Sequence, residues 1–383
     1  YADLSTSIME RAMLHCDNAY NIENIKISGQ VCKTNHHPHT AFRGFGAPKG
    51  VATIEIIIER IAHSLNIDSL EVRKINLYSN KNITPYGQVF NNNCFSKLFA
   101  KILIKSDYIN RKKSINEFNN SQSQFIKGIS IMPVKFGISF TTRFLNQGNA
   151  LVLIHQDGSL QVSTGATEMG QGVNTKIGMI VCDELGINSD QVRVMPTRTD
   201  KNANTSPTAA SSGTDINGAA ALLATRKIKE RLSKLASKLL EKDRSKWACK
   251  TAGIGSEPEI SIDYNCSDEI IFKDELVFSS NAPEKKITFK ELITEAYLNR
   301  ISLSDYAHYK IPGIEFNKLT GKGDAFLYFT QGIACSEVKI DKDSGEVKVL
   351  RTDIIMDLGE SLHQDIDKGQ ITGAFVQGMG WLT

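Results

Sequence analysis

The chain of 383 residues contains no Cys-x-x-Cys pair, which excludes zinc ribbons and iron–sulfur sites of the usual spacing. Its seven cysteines are scattered instead: Cys16, Cys32, Cys94, Cys182, Cys249, Cys266 and Cys335. An odd, dispersed set of thiols is typical of a reducing compartment. Because no signal peptide is recognisable either, we expect a cytoplasmic protein.

The sequence also lacks long apolar runs and a strong charge of either sign. Its richest apolar stretch, Ile54 to Ala62, is interrupted by three charged residues, so no membrane-spanning segment is predicted. The net charge is only +3 and no basic stripe alternates with aromatic residues, so we expect no nucleic-acid partner. There is no Gly-x-Ser-x-Gly motif, and Gly321-Lys322 lacks the Ser or Thr of a P-loop, so hydrolase and nucleoside triphosphatase chemistry is not indicated.

Three short loops of small residues are the clearest positive feature, and each leads into a stretch of helical periodicity. They are Thr40 to Pro48 (TAFRGFGAP), Ser163 to Gly172 (STGATEMGQG) and Ser206 to Gly213 (SPTAASSG). Small residues let backbone N–H groups point inward, and the following helix adds the positive end of its dipole. One such loop alone is more often a structural turn, but three together indicate a cradle for a large, anionic, phosphate-bearing ligand.

The length predicts more than one domain. The polar, non-periodic stretch Lys112 to Ser123 is typical of a linker, so we place a domain boundary there, between residues 1–122 and 123–383. The chain starts without Met and stops directly after a segment typical of a packed element. We therefore expect it to be an internal piece of a longer polypeptide.

Hairpins and helices alternate loosely beyond the predicted linker, which favours an α+β fold. We predict hairpins over Ala150 to Ser163, turned by Asp157-Gly158, and over Ala334 to Asp357. Helices are predicted after all three loops, and a strand over Asp190 to Met195. The polar segment Arg244 to Lys286 is interpreted as an irregular insertion.

Several side chains in and near the loops could contact a ligand. Arg43 offers a fixed cation with a planar set of donors beside Phe45, and the amide of Gln171 can both donate and accept. Glu168 has the chemistry of a general base, but its position before a helix favours a capping role.

The stretch Lys135 to Thr142 (KFGISFTT) and a histidine cluster allow more than one interpretation. At strand spacing Phe136, Ile138 and Phe140 share one face, usually a core face, although Phe140 beside Thr141 would also suit a stacking surface next to a hydroxyl. His36-His37-Pro38-His39 has no Cys or acidic partner at ligand spacing, so an exposed loop is favoured over a metal site.

These loops and their neighbours give the chain a resemblance to a known family. It resembles the molybdopterin-binding portion of the molybdenum hydroxylase (xanthine oxidase/aldehyde oxidase) family, in its xanthine dehydrogenase branch. The resemblance covers nearly the whole chain through these motifs, in order: SIMERAMLHCDNAY, CKTN, TAFRGFGAP, KFGISFT, TEMGQG, SPTAAS, ACSEV, RTDIIMD and GQITGAFVQGMG. It implies a fragment of a two-domain architecture, with residues 1–122 ending the first molybdopterin-binding domain and residues 123–383 forming most of the second, without its C-terminal end.

The resemblance implies roles in holding a molybdenum–molybdopterin cofactor. Arg43 and Ala210 match residues that line the molybdenum centre. Gln171 and Gln370 match amides that hold the pterin, and Ser211 belongs to the same shell.

It also implies a substrate site. Phe45 and Phe140 match two rings that enclose the substrate, and Thr141 matches a hydroxyl that hydrogen-bonds it. Arg11 matches an arginine that binds the purine and stabilises developing charge, and aldehyde oxidases generally lack it. No cysteine stands near Arg43, where the carbon monoxide dehydrogenases of the family carry one.

The implied reaction is oxidative hydroxylation of purines, from hypoxanthine to xanthine to urate, by a molybdenum-bound hydroxide with hydride transfer to the metal centre. Electrons would pass to 2Fe-2S and FAD groups on a partner subunit or other domains, in an oligomeric full-length enzyme. The general-base glutamate is expected beyond Thr383, so the chain alone is expected to be inactive. Alternatives are an aldehyde oxidase-like hydroxylase and a non-catalytic cofactor-binding module.

Overall fold

The computed structural model describes residues 3–37, 40–121, 123–241 and 269–383. Helices and strands are mixed, which confirms the predicted α+β class. The helices are α1 Ser5–Met13, α2 Ala47–Leu65, α3 Ser69–Ile75, α4 Phe95–Lys105, α5 Tyr108–Asn119, α6 Val173–Leu185, α7 Gly213–Glu241, α8 Phe289–Leu298 and α9 Gln364–Met379, with 3-10 turns at Arg143–Leu145 and Ser189–Gln191. The strands are β1 Phe125–Ile138, β2 Gln147–Ile154, β3 Leu160–Thr164, β4 Val192–Val194, β5 Ile270–Lys273, β6 Leu276–Ser279, β7 Ala282–Thr288, β8 Ser304–Lys310, β9 Glu315–Asn317, β10 Lys322–Asp324, β11 Tyr328–Asp341 and β12 Val347–Asp357.

Contacts divide the chain into two compact units. The first unit comprises Tyr1–Arg143 and Pro312–Thr383, and the second comprises Phe144–Ile311. The division at residues 122/123 concerns the domains of a longer polypeptide and stays a prediction. The predicted linker is wrong over most of its length, because α5 continues to Asn119. Tyr108 and Ile115 bury one side of this helix, and two side chains are too few to show as periodicity in so polar a sequence.

A three-stranded antiparallel sheet in the order β1-β11-β12 forms the centre of the first unit. Its long β1–β11 ladder runs from the pair Phe125–Asp341 to the pair Ile138–Tyr328. The predicted hairpin over Ala334 to Asp357 is confirmed as β11 and β12. Aromatic and aliphatic side chains from α4 and the preceding segment cover the sheet, and the buried members of this core include Tyr78, Phe90, Phe95, Phe99, Ile102, Tyr108, Ile131 and Ile333.

Helix α2 confirms the helix predicted after the first loop, with Pro48 in its first turn. Helical periodicity groups Ile57, Ile61 and Leu65 on the apolar face of this helix, but the structure leaves these three side chains exposed. Glu55, which periodicity places on the outer face, is buried instead. Its carboxylate accepts hydrogen bonds from the Tyr20 hydroxyl at 2.6 Å and from Arg73 Nε at 2.9 Å, and these partners offset the cost of desolvation.

The second unit contains a four-stranded sheet in the order β4-β3-β2-β8. The hairpin turned by Asp157-Gly158 is confirmed as the antiparallel pair β2–β3, and the predicted strand over Asp190 to Met195 as β4, parallel to β3. Helices α6 and α7 follow the second and third loops, as predicted. Part of the predicted irregular insertion is a meander of β5, β6 and β7, and its residues 244–268 lie outside the described residues.

Among the described residues, no helix has both the length and the apolar character that crossing a lipid bilayer requires.

Candidate active site

Arg11 on α1 is a buried cation, with 5% of its surface exposed. Its Nη1 donates to the Ser139 carbonyl at 2.8 Å, and Nη2 donates to the Gly137 carbonyl. The guanidinium carbon lies 4.9 Å from the ring centroid of Phe136 and 5.0 Å from that of Phe326. Burial lowers the pKa of Arg11 to about 10, so the side chain remains charged at neutral pH.

Arg11 differs from the other buried cations of the first unit in lacking a carboxylate partner. Arg73 pairs with Glu55 at 2.9 Å, and Lys135 pairs with Asp17. Within the described part of the chain, Arg11 forms no salt bridge, and its Nε has no hydrogen-bond partner. Its positive charge is therefore held in place by backbone carbonyls and rings without being neutralised.

Phe140 and Thr141 follow the end of β1, which stops at Ile138. Ser139 is buried with a φ of 121°, so the strand alternation is broken there and Phe140 does not share a strand face with Phe136. The Thr141 hydroxyl donates to Glu10 Oε1, and the other Glu10 oxygen lies 3.2 Å from Lys318 Nζ. Because its one proton is engaged, Thr141 can offer a ligand only its acceptor lone pairs.

The first loop packs tightly against α1. A Cβ on Gly46 would lie 1.9 Å from the Ile8 carbonyl oxygen, and one on Gly50 would lie 2.1 Å from that of Ala12. Phe45, between two glycines, has a φ of 62° and is half-buried. These small residues let α2 begin directly on the helix that carries Arg11.

Arg43 and Gln370, far apart in sequence, are in contact. Arg43 Nη2 donates to both the main-chain oxygen and the side-chain Oε1 of Gln370, each at 2.8 Å. Among the described residues, Arg43 Nε and Nη1 make no hydrogen bond, so donors remain for an anionic ligand.

The second and third loops are joined in the second unit, because the Thr167 N–H donates to Thr208 Oγ1 at 2.9 Å. Gln171 bonds within its own loop: its Oε1 accepts from the Met169 N–H at 2.6 Å, and its Nε2 donates to the Thr167 carbonyl at 2.9 Å. Ala210 and Ser211 both have left-handed backbone, with φ of 57° and 58°.

Glu168 caps α6, which confirms the favoured interpretation. Its carboxylate accepts from the N–H groups of Gly170 and Gly172 at 2.9 Å and of Asn174 at 3.0 Å. Partial burial acts to raise the pKa of Glu168, but these backbone hydrogen bonds outweigh it and lower the pKa. At this loop the inward N–H groups predicted to bind a ligand already hold a carboxylate of the chain itself.

The nine predicted site residues lie in two units. The first unit holds Arg11, Arg43, Phe45, Phe140, Thr141 and Gln370, and the second holds Gln171, Ala210 and Ser211. In the histidine cluster, His36 and His37 are exposed, whereas Pro38 and His39 lie outside the described residues.

Comparison with known proteins identifies the family. A family model described as a molybdopterin cofactor-binding domain matches residues 101–383, and a second model with the same description matches residues 1–77. The chain belongs to this molybdopterin-binding family. It is 41% identical over 382 residues to xanthine dehydrogenase/oxidase of Gallus gallus and 37% identical over 384 residues to xanthine dehydrogenase of Dictyostelium discoideum, which puts it in the xanthine oxidase family.

The molybdopterin-binding chain spans about a quarter of the length of these curated relatives, while each alignment covers 100% of the chain itself. Solved structures have the same fold. Aldehyde oxidoreductase from Desulfovibrio desulfuricans matches with a TM-score of 0.77 and 20% identity, over 99% of this chain and 36% of that one. A CO dehydrogenase from Oligotropha carboxidovorans matches with a TM-score of 0.73 and 22% identity, over 94% of this chain and 43% of that one.

The residues of the second unit fit a pterin cofactor. After its two loop bonds, the Gln171 amide retains one N–H and one oxygen lone pair. The space beside Gly170, where a Cβ would stand, is open to 4 Å. In the first turn of α6, the buried Asn174 Oδ1 has no partner in the described part of the chain. A large, polar heterocycle requires free space beside the backbone and polar atoms with hydrogen-bonding capacity left, and this unit has both.

Sequence reasoning missed three residues around Arg11, namely His15, Phe326 and Glu10. Phe326 stands between β10 and β11, almost two hundred residues from Phe136. No local pattern predicts that it contacts Arg11, because the contact depends on the pairing of β1 with β11. Glu10 had a detectable signal, since it directly precedes Arg11 in the MERAM motif.

Proposed function

We propose that this chain contributes the purine site and much of the cofactor site of a molybdenum hydroxylase that oxidises hypoxanthine to xanthine and xanthine to urate. One observation carries the proposal: Arg11 is a buried cation with no carboxylate partner among the described residues, fixed by two carbonyls beside the Phe140–Thr141 segment. Such a charge is suited to an electron-poor ring on which negative charge develops. An aldehyde substrate need not have the electron-poor heterocycle on which this cation would act.

The substrate residues would act by orientation and charge. Arg11 would stabilise the negative charge that builds on the purine as it is attacked. Phe45 and Phe140 would fix the plane of the ring and exclude water. Thr141, whose proton is engaged by Glu10, would accept a hydrogen bond from a ring N–H of the purine.

We assign cofactor binding to the two groups of residues already described. Arg43 and Gln370 would bind from the first unit, and Gln171, Ala210 and Ser211 from the second, with Arg43 and Ala210 nearest the metal. When bound, the molybdenum–pterin group supplies the oxygen-transfer and two-electron chemistry. We further propose that 2Fe-2S and FAD groups outside this chain accept the electrons in a cytoplasmic, oligomeric enzyme, and that the general base lies beyond Thr383.

The test is Arg11→Met in the full-length enzyme, assayed on xanthine and on an aromatic aldehyde. Loss of one preorganised charge interaction costs about 10²- to 10³-fold in turnover, so kcat/KM for xanthine should fall by that amount. Turnover of the aldehyde should remain within a few-fold of the wild type. Equal losses on both substrates would refute the role of Arg11, and a wild type that oxidises only aldehydes would favour an aldehyde oxidase-like enzyme.

A further inference from the structure

The hydrogen bonds that fix Arg11 both end on the same short segment of backbone. The acceptors are the carbonyls of Gly137 and Ser139, one at the end of β1 and one just beyond it. The position of the guanidinium therefore depends on how this segment is held relative to α1.

His15, four residues after Arg11, connects the two elements. It is fully buried, and its Nδ1 lies 2.8 Å from the Arg11 carbonyl oxygen, while its Nε2 lies 3.1 Å from the Gly137 nitrogen. A carbonyl only accepts and a backbone N–H only donates, so Nδ1 carries the proton and Nε2 carries the lone pair. The partners thus assign a neutral imidazole in a single tautomer.

The contacts form a closed circuit. Gly137 donates its N–H to His15 and accepts the Arg11 guanidinium at its carbonyl, while His15 donates to the Arg11 carbonyl. The imidazole also packs on the two rings that flank the guanidinium, with centroid distances of 5.3 Å to Phe136 and 5.2 Å to Phe326. His15 therefore contacts Gly137, one of the two residues that accept from the Arg11 guanidinium, and both rings that flank it.

We propose that His15 is a positioning residue for purine recognition: as a neutral clamp between α1 and β1, it sets the place of the Arg11 guanidinium relative to the substrate. This inference rests on the proposed function, because it gives His15 a role only through Arg11. His15 itself need touch neither substrate nor cofactor.

The surroundings of His15 keep the clamp in its neutral form. Arg11 from α1 and Lys135 from β1 are cations that oppose a second positive charge on the imidazole, and Asp17 already pairs with Lys135. Burial, with these two cations, lowers the pKa of His15 well below its ordinary value. In a protonated ring Nε2 would also carry a hydrogen, which would face the Gly137 N–H, and the hydrogen bond between them would be lost.

The test is a double-mutant cycle in the full-length enzyme, with His15→Phe, Arg11→Met and the double variant. Phenylalanine keeps a ring between Phe136 and Phe326 but removes both hydrogen bonds. We expect kcat/KM for xanthine to fall about 10- to 100-fold in His15→Phe, as for a misplaced binding group, with aldehyde turnover nearly unchanged. The double variant should match Arg11→Met to within about threefold, because the clamp has no function without its arginine.

A matched control is Tyr20→Phe, which removes a buried hydrogen bond to Glu55 in the same unit without touching the Arg11 circuit. It should lower turnover of both substrates equally or not at all. Binding of urate, measured by calorimetry, gives a readout without turnover: its Kd should rise about tenfold in His15→Phe and no further in the double variant than in Arg11→Met.

The outcomes separate the clamp from the proposed function. If His15→Phe lowers the turnover of both substrates equally, or if its effect on kcat/KM adds fully to that of Arg11→Met, His15 is only structural and the inference is wrong. If Arg11→Met itself shows no preference between substrates, the proposed function fails instead. Should His15→Phe not fold, His15→Leu, which also removes both hydrogen bonds, is judged by the same criteria.

Discussion

At the scale of single residues, the described part of the first unit buries three cations in two different ways. Arg73 is neutralised by Glu55 and Glu59, and Lys135 by Asp17. Arg11 is bound only by carbonyl oxygens and aromatic rings among the described residues. Neutralised cations stabilise the fold, whereas a cation without a counter-charge can act on a ligand.

Lys135→Met should therefore destabilise the protein strongly. Lys135 is fully buried against Asp17 and lies 4.6 Å from the ring centroid of Tyr78, so its removal leaves a buried carboxylate without its ion-pair partner. Breaking such a pair costs about 3–5 kcal/mol, which denaturant unfolding of the full-length protein would measure.

The matched control is Lys112→Met. Lys112 pairs with Asp68 at 2.5 Å in a half-exposed position, where an ion pair contributes about 1 kcal/mol or less. Equal losses of stability in the two variants would contradict the distinction between the pairs.

At the scale of secondary-structure elements, the approach of α2 to α1 depends on glycines. The two helices are in contact because Gly46 and Gly50 leave no side chain between them. This contact brings the first loop, with Arg43 and Phe45, onto the helix that carries Arg11.

Gly46→Ala should push α1 and α2 apart. A Cβ only 1.9 Å from the Ile8 carbonyl oxygen meets backbone that cannot move aside, so a loss of about 1–3 kcal/mol is expected in denaturant unfolding. Gly128→Ala on β1 is the control, because its Cβ would meet Val338 at an ordinary 3.7 Å, and stability should stay the same or rise slightly. An unchanged free energy of unfolding in Gly46→Ala would contradict the close contact between the two helices.

The elements themselves were largely predictable, because their signals are local. Asp157-Gly158 predicts the turn of β2–β3, and Pro48 marks the start of α2. The sequence-based predictions were wrong where contacts with residues distant in sequence determine burial or secondary structure. Glu55 is buried because Arg73 and Tyr20 reach it, and α5 is a helix although its sequence is polar enough for a linker.

At the scale of the whole molecule, the chain belongs to the molybdopterin-binding family, and its proposed cofactor residues come from both compact units. In the first unit, Gln370 accepts a hydrogen bond from Arg43, and in the second, Gln171 forms hydrogen bonds within the loop whose Glu168 caps α6. Both amide side chains are therefore held in position by hydrogen bonds within the protein itself.

Gln171→Ala and Gln370→Ala should each weaken retention of the cofactor in the full-length enzyme. Loss of a group that orients a metal site lowers affinity by about 10- to 100-fold, so molybdenum per protomer after dialysis should fall clearly below the wild-type value. Gln147→Ala is the control, since this glutamine bonds His308 at 3.0 Å outside the three loops. Unchanged molybdenum in both loop variants would overturn the assignment of these amides.

The sequence by itself determined the α+β class, the hairpins, the helices after the three loops and the motifs of the molybdenum hydroxylase family. These follow from periodicity, turn residues and short patterns, which act over a few neighbouring positions. Only the tertiary structure decided which buried charges are neutralised: Glu55 by Arg73, Lys135 by Asp17, and Arg11 by no carboxylate among the described residues. The reason is physical, because the partners of a buried charge stand far away in sequence, as Ser139 does from Arg11, and folding alone brings them together.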